Sequence, residues 1–202
     1  HGPTGGKILR PSDGKEAKNV AFIQCAGSRD ENHLRHCSRI CCMGSLKQTQ
    51  YMRDAYGEDA KSTIYYIDIR AIDRFEDFYQ KVQKDSTVTF VKSKVARVAL
   101  DGKNDILTLH GVNTEGYHRY ENQHDLVVLA VGMEPSVAGV DIPADIVADS
   151  SGFLESAPSG GIFAAGCASS PLDVNHSVQN ATAAALRAIQ VIHKSDSTEV
   201  KL

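Results

Sequence analysis

The stretch that decides the fold runs from Val20 to Lys47 and reads VAFIQCAGSRDENHLRHCSRICCMGSLK. Its apolar start, Val20–Ile23, predicts a buried strand, and its end begins a helix-forming run that continues to Tyr56. Between such a strand and helix, a doubly wound fold usually has a Gly-rich turn that holds a dinucleotide pyrophosphate. Here the G-x-G-x-x-G pattern is absent and the turn carries cysteines. Four of the five cysteines lie in this stretch, at Cys25, Cys37, Cys41 and Cys42.

Four thiolates match the ligand count of a cubane iron–sulfur cluster or of a structural zinc ion. If Cys37 and Cys41 are both helical, they share a helix face, and Cys42 points about 100° further round. An ideal helix therefore cannot direct all three sulfurs to one point. Either the backbone is irregular there, or the adjacent pair lies just before the first turn. A larger cluster accommodates adjacent ligands better than a zinc ion does.

Cations crowd the same loop, at Arg29, Arg35, His36 and Arg39. Positive charge favours thiolate over thiol and offsets the negative charge of a cluster. We therefore predict an iron–sulfur cluster. Zinc and buried thiols without a metal are the alternatives.

A resemblance rests on these residues. The pattern C-x11-C-S-R-x-C-C-M-x3-K is followed by Y-x-D-I-R-A and F-E-D-F-Y. Over about residues 19–192 the chain resembles the flavoprotein component of heterodisulfide reductase, its A subunit. It is especially similar to the related subunits of the quinone-interacting membrane-bound oxidoreductase complex of sulfate reducers. The resemblance implies that Cys25, Cys37, Cys41 and Cys42 bind a [4Fe-4S] cluster in a thioredoxin-reductase-like module.

The remaining periodicity predicts the architecture. Apolar and β-branched runs predict strands over 62–70 and 87–91, and helical spacing predicts a helix over 72–84. A strand–helix–strand unit of this length predicts a parallel sheet. Alternating runs separated by turns then predict an antiparallel meander over 94–100, 105–110 and 117–120, before a strand over 125–131 that is buried on both faces. This layout resembles the nicotinamide-type domain of two-dinucleotide-domain flavoprotein reductases. We therefore predict an α/β, Rossmann-like domain of a thioredoxin-reductase-like flavoprotein, followed by part of the FAD domain.

The carboxy-terminal third resembles the flavin-binding side of such enzymes. Val131–Pro135 resembles the segment that returns the chain to the FAD domain. A predicted strand over 161–166 and helix over 175–193 resemble the second FAD fingerprint, G-I-F-A-x-G-D, with Cys167 in place of the acid. The resemblance implies flavin-side roles for Gly132, Gly166, Cys167, Ala168, Val174 and Ser177.

The first FAD fingerprint, an early G-x-G-x-x-G, is missing from the sequence. We therefore expect the carboxy-terminal part of a longer flavoprotein, with an incomplete FAD site and no activity alone. The predicted organisation is a flexible lead over 1–18, a nicotinamide-domain-like module with the cysteines over 19–134, and FAD-domain sequence over 135–202. No catalytic residue is assigned.

A net charge of −3 gives no reason to expect nucleic acid. No apolar run approaches the roughly 18–20 residues of a membrane span, and no signal peptide is visible. We expect a cytoplasmic protein that associates with membranes through other proteins. The resemblance implies three kinds of partner, which are other heterodisulfide-reductase-like subunits, adenylylsulfate reductase and a quinone-reactive membrane protein of the same complex.

The predicted function is that of an oxidoreductase subunit that passes electrons between a [4Fe-4S] cluster and FAD. One alternative is a flavin-linked dithiol/disulfide oxidoreductase, in which two of the clustered cysteines form a redox disulfide. Another is a zinc-stabilised interaction domain.

Overall fold

The computed structural model describes residues 2–102, 105–142, 146–157 and 161–199, with side chains described up to residue 194. The chain divides into two units. The first unit comprises His1–Gly27 and Cys41–Val131, and the second comprises Ser28–Ile40 and Gly132–Leu202.

A parallel four-stranded sheet forms the centre of the first unit. Its strands are β1 at Asn19–Ile23, β2 at Lys61–Tyr66, β3 at Val88–Lys92 and β7 at Leu126–Leu129, in the order β3-β2-β1-β7. Phe22 on β1 pairs in parallel with Ile64 on one side and Val128 on the other. The predicted parallel strand–helix–strand unit is confirmed.

Two helices connect the parallel strands, α1 at Cys41–Tyr56 between β1 and β2, and α2 at Phe75–Gln83 between β2 and β3. Because side chains alternate along a strand, β1 contributes to two cores. Val20 and Phe22 pack with Leu46 of α1. Ala21 and Ile23 pack on the opposite face, with Tyr65 and Leu109.

An antiparallel three-stranded sheet completes this unit, with β4 at Arg97–Asp101, β5 at Ile106–Asn113 and β6 at His118–His124. The predicted meander is therefore confirmed, and Leu109 anchors it to the second face of the parallel sheet. The prediction that the last strand is buried on both faces is wrong. β7 lies at the edge of the described sheet, and Leu129 there is 53% exposed.

The amino-terminal lead takes part in the first unit. Leu9 forms an isolated β-bridge with Glu16, Ala17 is fully buried, and Ile8 packs against the core. The Tyr56 hydroxyl donates to the Ile8 carbonyl oxygen over 2.9 Å.

The second unit consists mainly of loops and one long helix, α3, at Val174–Glu199. The predicted strand over 161–166 is wrong. Ile162 forms one isolated bridge, with Ala157, and the chain then enters a 3-10 turn at Gly166–Ala168. A single bridge cannot sustain a strand, because no ladder of backbone hydrogen bonds follows it. Among the described residues, no helix is both long and apolar enough to cross a membrane.

Candidate functional site

Cys25 lies two residues after the end of β1, with Gln24 between them, and is 9% exposed. Its φ of +55° is in the left-handed region, which non-glycine residues rarely adopt. Hydrogen bonds on both sides hold it there. Gln24 N–H donates to the Tyr65 carbonyl over 2.9 Å, and Ala26 N–H donates to the Ala130 carbonyl over 3.1 Å. Strained conformations that neighbouring strands enforce in this way cluster at functional sites.

Cys41 and Cys42 are the first two residues of α1. The N–H groups of a first helical turn have no intrahelical partner, and the helix dipole is positive at this end. Both features favour thiolate sulfur, and the first turn of α1 contains no acidic residue. Cys42 is 6% exposed, and its Sγ lies 3.9 Å from the Asp68 carbonyl oxygen.

Cys37 lies outside the helix, in the loop Ser28–Ile40 of the second unit. The alternative in which Cys37 and Cys41 share a helix face is therefore wrong, because α1 begins only at Cys41. Arg39 N–H points at the Cys37 Sγ over 3.4 Å, which stabilises negative charge on that sulfur. Arg39 itself adopts a φ of +62°.

Gly132 has a structural role in the second unit, in addition to the flavin-side role predicted for it. Its φ is +106°, and a Cβ there would lie 2.9 Å from the Ser38 Oγ and 3.0 Å from the Ser28 Cβ. This close approach lets Met133 N–H donate to the Ser38 Oγ over 2.6 Å. The His36 Nε2 lies 2.8 Å from the Met133 carbonyl oxygen. The residues that follow Gly132 therefore fasten the loop that carries Cys37.

A polar triad, which the sequence analysis missed, connects the same loop to the start of α3. The His176 Nδ1 lies 2.7 Å from the Asp173 Oδ2, and Arg39 Nη2 lies 3.4 Å from the His176 Nε2. Partial burial opposes ionisation of Asp173, but hydrogen bonds from the His176 backbone and ring outweigh it and lower the pKa of this carboxyl. Only the sequence order D-x-x-H could have suggested the Asp173–His176 pair.

Five of the six predicted flavin-side residues, all except Gly132, lie in the 3-10 turn or in the first turn of α3. Gly166 has a φ of +59°, and its N–H donates to the Asn180 Oδ1 over 2.8 Å. The Cys167 Sγ donates to the Leu172 carbonyl over 3.4 Å and lies 3.7 Å from the Ser177 Oγ. The structure thus brings Gly166, Cys167 and Ser177 together.

The other two predicted flavin-side residues lie at the ends of these elements. Ala168 is the last residue of the 3-10 turn. Val174 is the first residue of α3, and 82% of the surface of Val174 is exposed. Asn180, which orders the turn, was not predicted. It lies three residues after Ser177, and this helical spacing was the available signal.

The donor chemistry of the four clustered cysteines fits an iron–sulfur cluster. No disulfide joins any of the five cysteines, all of which the structure describes. Within the first unit, Cys25 follows the carboxyl end of β1 and Cys41–Cys42 open the helix that comes next. Cys37 is separated from Cys41 by only three residues. Over the described part of the chain, no three His, Cys, Asp or Glu side chains are arranged to hold a metal ion.

A cavity of about 660 Å³ lies elsewhere, in the first unit, between the parallel sheet and the meander. None of the predicted site residues lines it. At its wall is a chain of hydrogen bonds, in which the Asn122 amide donates to the Tyr65 hydroxyl over 2.8 Å and that hydroxyl lies 3.0 Å from the His124 Nε2. The His124 Nδ1 lies 3.0 Å from the Asn19 Oδ1. Burial lowers the pKa of His124 to about 4, so this ring is neutral at pH 7.

Comparison with curated proteins finds similarity to A subunits of heterodisulfide reductases. The chain is 38% identical over 201 residues to the second iron–sulfur A subunit of the CoB–CoM heterodisulfide reductase of Methanopyrus kandleri, covering 93% of the chain and 30% of that protein. It is 40% identical over 205 residues to the A subunit of the ferredoxin:CoB–CoM heterodisulfide reductase of Methanosarcina mazei, covering 95% and 25%. The chain thus spans less than a third of the length of these relatives. No protein-family model matches it.

Solved structures show the fold. The thioredoxin reductase of Lactococcus lactis superposes with a TM-score of 0.56 at 16% identity, covering 94% of this chain and 55% of that one. The thioredoxin reductase of T. acidophilum gives 0.54 at 15% identity, covering 90% and 53%. The predicted α/β flavoprotein fold is confirmed. The chain has a thioredoxin-reductase-like fold and is homologous to a segment of the A subunits of heterodisulfide reductases, which are oxidoreductases by name.

Proposed function

We propose that this chain is the cluster-bearing segment of an electron-transfer oxidoreductase subunit, in which Cys25, Cys37, Cys41 and Cys42 hold a [4Fe-4S] cluster. One observation carries the proposal. Three of these thiols follow the carboxyl end of β1 or open α1, at the position where a doubly wound fold normally binds a dinucleotide pyrophosphate. The site has thiols in place of the glycines that phosphate binding needs.

The surroundings of the thiols support this assignment. The amino end of α1 and the Arg39 N–H favour negative sulfur. The strained Cys25 backbone is flanked by hydrogen bonds to Tyr65 of β2 and to Ala130, the residue after β7. When bound, such a cluster accepts and donates single electrons. The Methanopyrus kandleri relative is called an iron–sulfur protein by name, which is consistent with such a cofactor.

The second part of the proposal is a flavin partner. Gly132, Gly166, Cys167, Ala168, Val174 and Ser177 would lie on the FAD side, and the amino end of α3 would favour an anionic reduced flavin. In the parent protein, electrons would pass between cluster and FAD. The complex would be heterodisulfide-reductase-like or the quinone-interacting type of sulfate reducers. Its partners would be the other subunits of that complex, including a quinone-reactive membrane protein, together with adenylylsulfate reductase, on the cytoplasmic side of the membrane.

The test is anaerobic reconstitution of the chain with iron and sulfide, followed by a visible spectrum and metal analysis. We expect broad visible absorption with about four irons and four sulfides per chain. Cys41→Ser should lose this cluster. Cys167→Ser is the matched control and should retain it, because this exposed cysteine lies outside the proposed ligand set. A colourless protein with one zinc ion per chain would contradict the proposal and favour a zinc-stabilised interaction domain. A colourless, metal-free protein with a reversible disulfide would favour a dithiol oxidoreductase.

A further inference from the structure

The side chain of Gln24 is buried without hydrogen bonds to the described protein. It is 3% exposed, and neither its Nε2 nor its Oε1 has a hydrogen-bond partner among the described residues. Its backbone N–H donates a hydrogen bond to the Tyr65 carbonyl oxygen. Native proteins seldom bury an unpaired amide, because removing it from water is unfavourable unless a partner replaces the water. The amide of Gln24 therefore requires a specific partner.

The strand alternation places this amide on the face of the parallel sheet that α1 covers. Gln24 directly precedes Cys25 and lies in phase with Val20 and Phe22, which pack against α1. In a strand–helix–strand unit the helix runs back along the sheet, so its first turn lies over the carboxyl ends of the strands. Gln24 is therefore on the face covered by the first turn of α1, where Cys42 and Ser45 are 6% and 4% exposed.

We propose that the Gln24 Nε2–H group donates a hydrogen bond to sulfur of the iron–sulfur cluster and thereby raises the reduction potential of that cluster. The inference rests on the proposed function. The amide supplies two N–H donors, and cluster sulfur becomes more negative when the cluster accepts an electron. A donor aimed at that sulfur stabilises the reduced form more than the oxidised form, so the potential rises. Gln24 is then a tuning residue and not a ligand.

The experiment compares the wild-type chain with Gln24→Leu after anaerobic reconstitution. The Leu side chain has similar volume but no N–H, so we expect unchanged iron and sulfide content and a midpoint potential shifted to more negative values in a spectroelectrochemical titration. Thermal unfolding of the cluster-free protein is the second readout. We expect Gln24→Leu to raise the unfolding temperature there, because the variant no longer buries an unpaired amide.

Ser62→Ala is the matched control. The Ser62 Oγ is also buried, at 2% residue exposure, and also has no hydrogen-bond partner among the described residues. Ser62 pairs with Val20, near the amino end of the sheet, and so lies far from the first turn of α1. We expect this variant to leave the midpoint potential unchanged.

Each outcome decides the inference. If the wild-type chain takes up no cluster, both the proposed function and this inference are wrong. If wild type takes up a cluster and Gln24→Leu has the same potential, only the inference falls. If Gln24→Leu takes up no cluster, Gln24→Met is titrated in its place, where a negative shift supports the inference and an unchanged potential overturns it. Cluster loss from both variants, with folded apo forms, would make the amide an assembly requirement and would also overturn the tuning role.

Discussion

The two units of the chain are stabilised by different kinds of contact. In the first unit, large side chains such as Phe22, Leu46 and Tyr65 are at most 2% exposed. In the described part of the second unit, the buried apolar residues are Pro135 and Phe153. Five apolar side chains of α3 are 50–82% exposed, at Val174, Val178, Leu186, Ile189 and Ile192. Burial of apolar area is the main favourable term in folding, so the first unit carries its own core and the second depends on local polar contacts.

The proposed cluster ligands also differ in the kind of contact that positions them, because three lie in the first unit and Cys37 lies in the second. Cys25, Cys41 and Cys42 are placed by a strand and a helix that pack on the first core. Cys37 is placed by a loop that Ser38 and Met133 fasten through hydrogen bonds. We therefore expect packing on the first core to fix the backbone at Cys25, Cys41 and Cys42, whereas the position of Cys37 depends on polar contacts.

The largest predicted effect is in the first core. Leu46 is fully buried on α1, so Leu46→Ala should lower the free energy of unfolding by about 2–5 kcal/mol. Leu186→Ala is the matched change on α3, where the side chain is 56% exposed. It should change stability by no more than about 0.5 kcal/mol. Urea denaturation monitored by circular dichroism measures both, and equal losses would remove the contrast between the units.

The second prediction concerns acid stability of the first unit. The pKa of His124 is lowered by burial from 6.5 to about 4, so the unfolded chain binds a proton before the folded protein does. The stabilisation from neutral His124 is complete above about pH 6.5 and is lost as the pH falls from there to about 4. The loss should amount to roughly 2–3 kcal/mol.

Denaturation at a series of pH values checks this, with two variants that test its origin. His124→Gln should flatten the stability profile between pH 6.5 and 4. His118→Gln changes an exposed histidine of the same strand and should leave the slope as in wild type. A slope that survives His124→Gln would assign the acid sensitivity to another group.

The third prediction tests the polar geometry of the second unit. Gly132→Ala places a Cβ 2.9 Å from the Ser38 Oγ at a φ of +106°. The strain and the displaced hydroxyl should cost about 1–3 kcal/mol. Because this displacement moves the loop that carries Cys37, reconstituted protein should also bind less iron, measured by metal analysis. Full iron content together with wild-type stability would show that the loop does not depend on this close approach.

The smallest effect should have the opposite sign. Gly44 lies inside α1, and a Cβ there would meet nothing within 4 Å in the described structure. Gly44→Ala should therefore stabilise the first unit by roughly 0.5–1 kcal/mol, because alanine loses less backbone entropy in a helix. A thermal melt measures the gain. Destabilisation would indicate that the first turn of α1 requires the flexibility of glycine.

Local periodicity was sufficient for much of the fold. The apolar run Val20–Ile23, the helix that follows and the alternating runs of the meander each have a characteristic spacing, and a spacing is visible in sequence alone. The residue at which α1 begins, Cys41, could not be predicted from the sequence. A helix end depends on which backbone groups find other hydrogen-bond partners, and this depends on the rest of the fold. The predicted strand over 161–166 failed because a strand also needs a neighbour, and Ile162 has a single bridge.

The sequence by itself determined the thiol count, the missing phosphate loop and the order of the main elements, because these are properties of composition and short-range pattern. Only the tertiary structure decided which side chains are buried without a hydrogen-bond partner among the described residues, such as Gln24. It also decided which distant residues meet, such as Ser38 with Gly132 and Arg39 with His176. The physical reason is that burial and long-range contact depend on how the whole chain packs, and no local window of sequence carries that information.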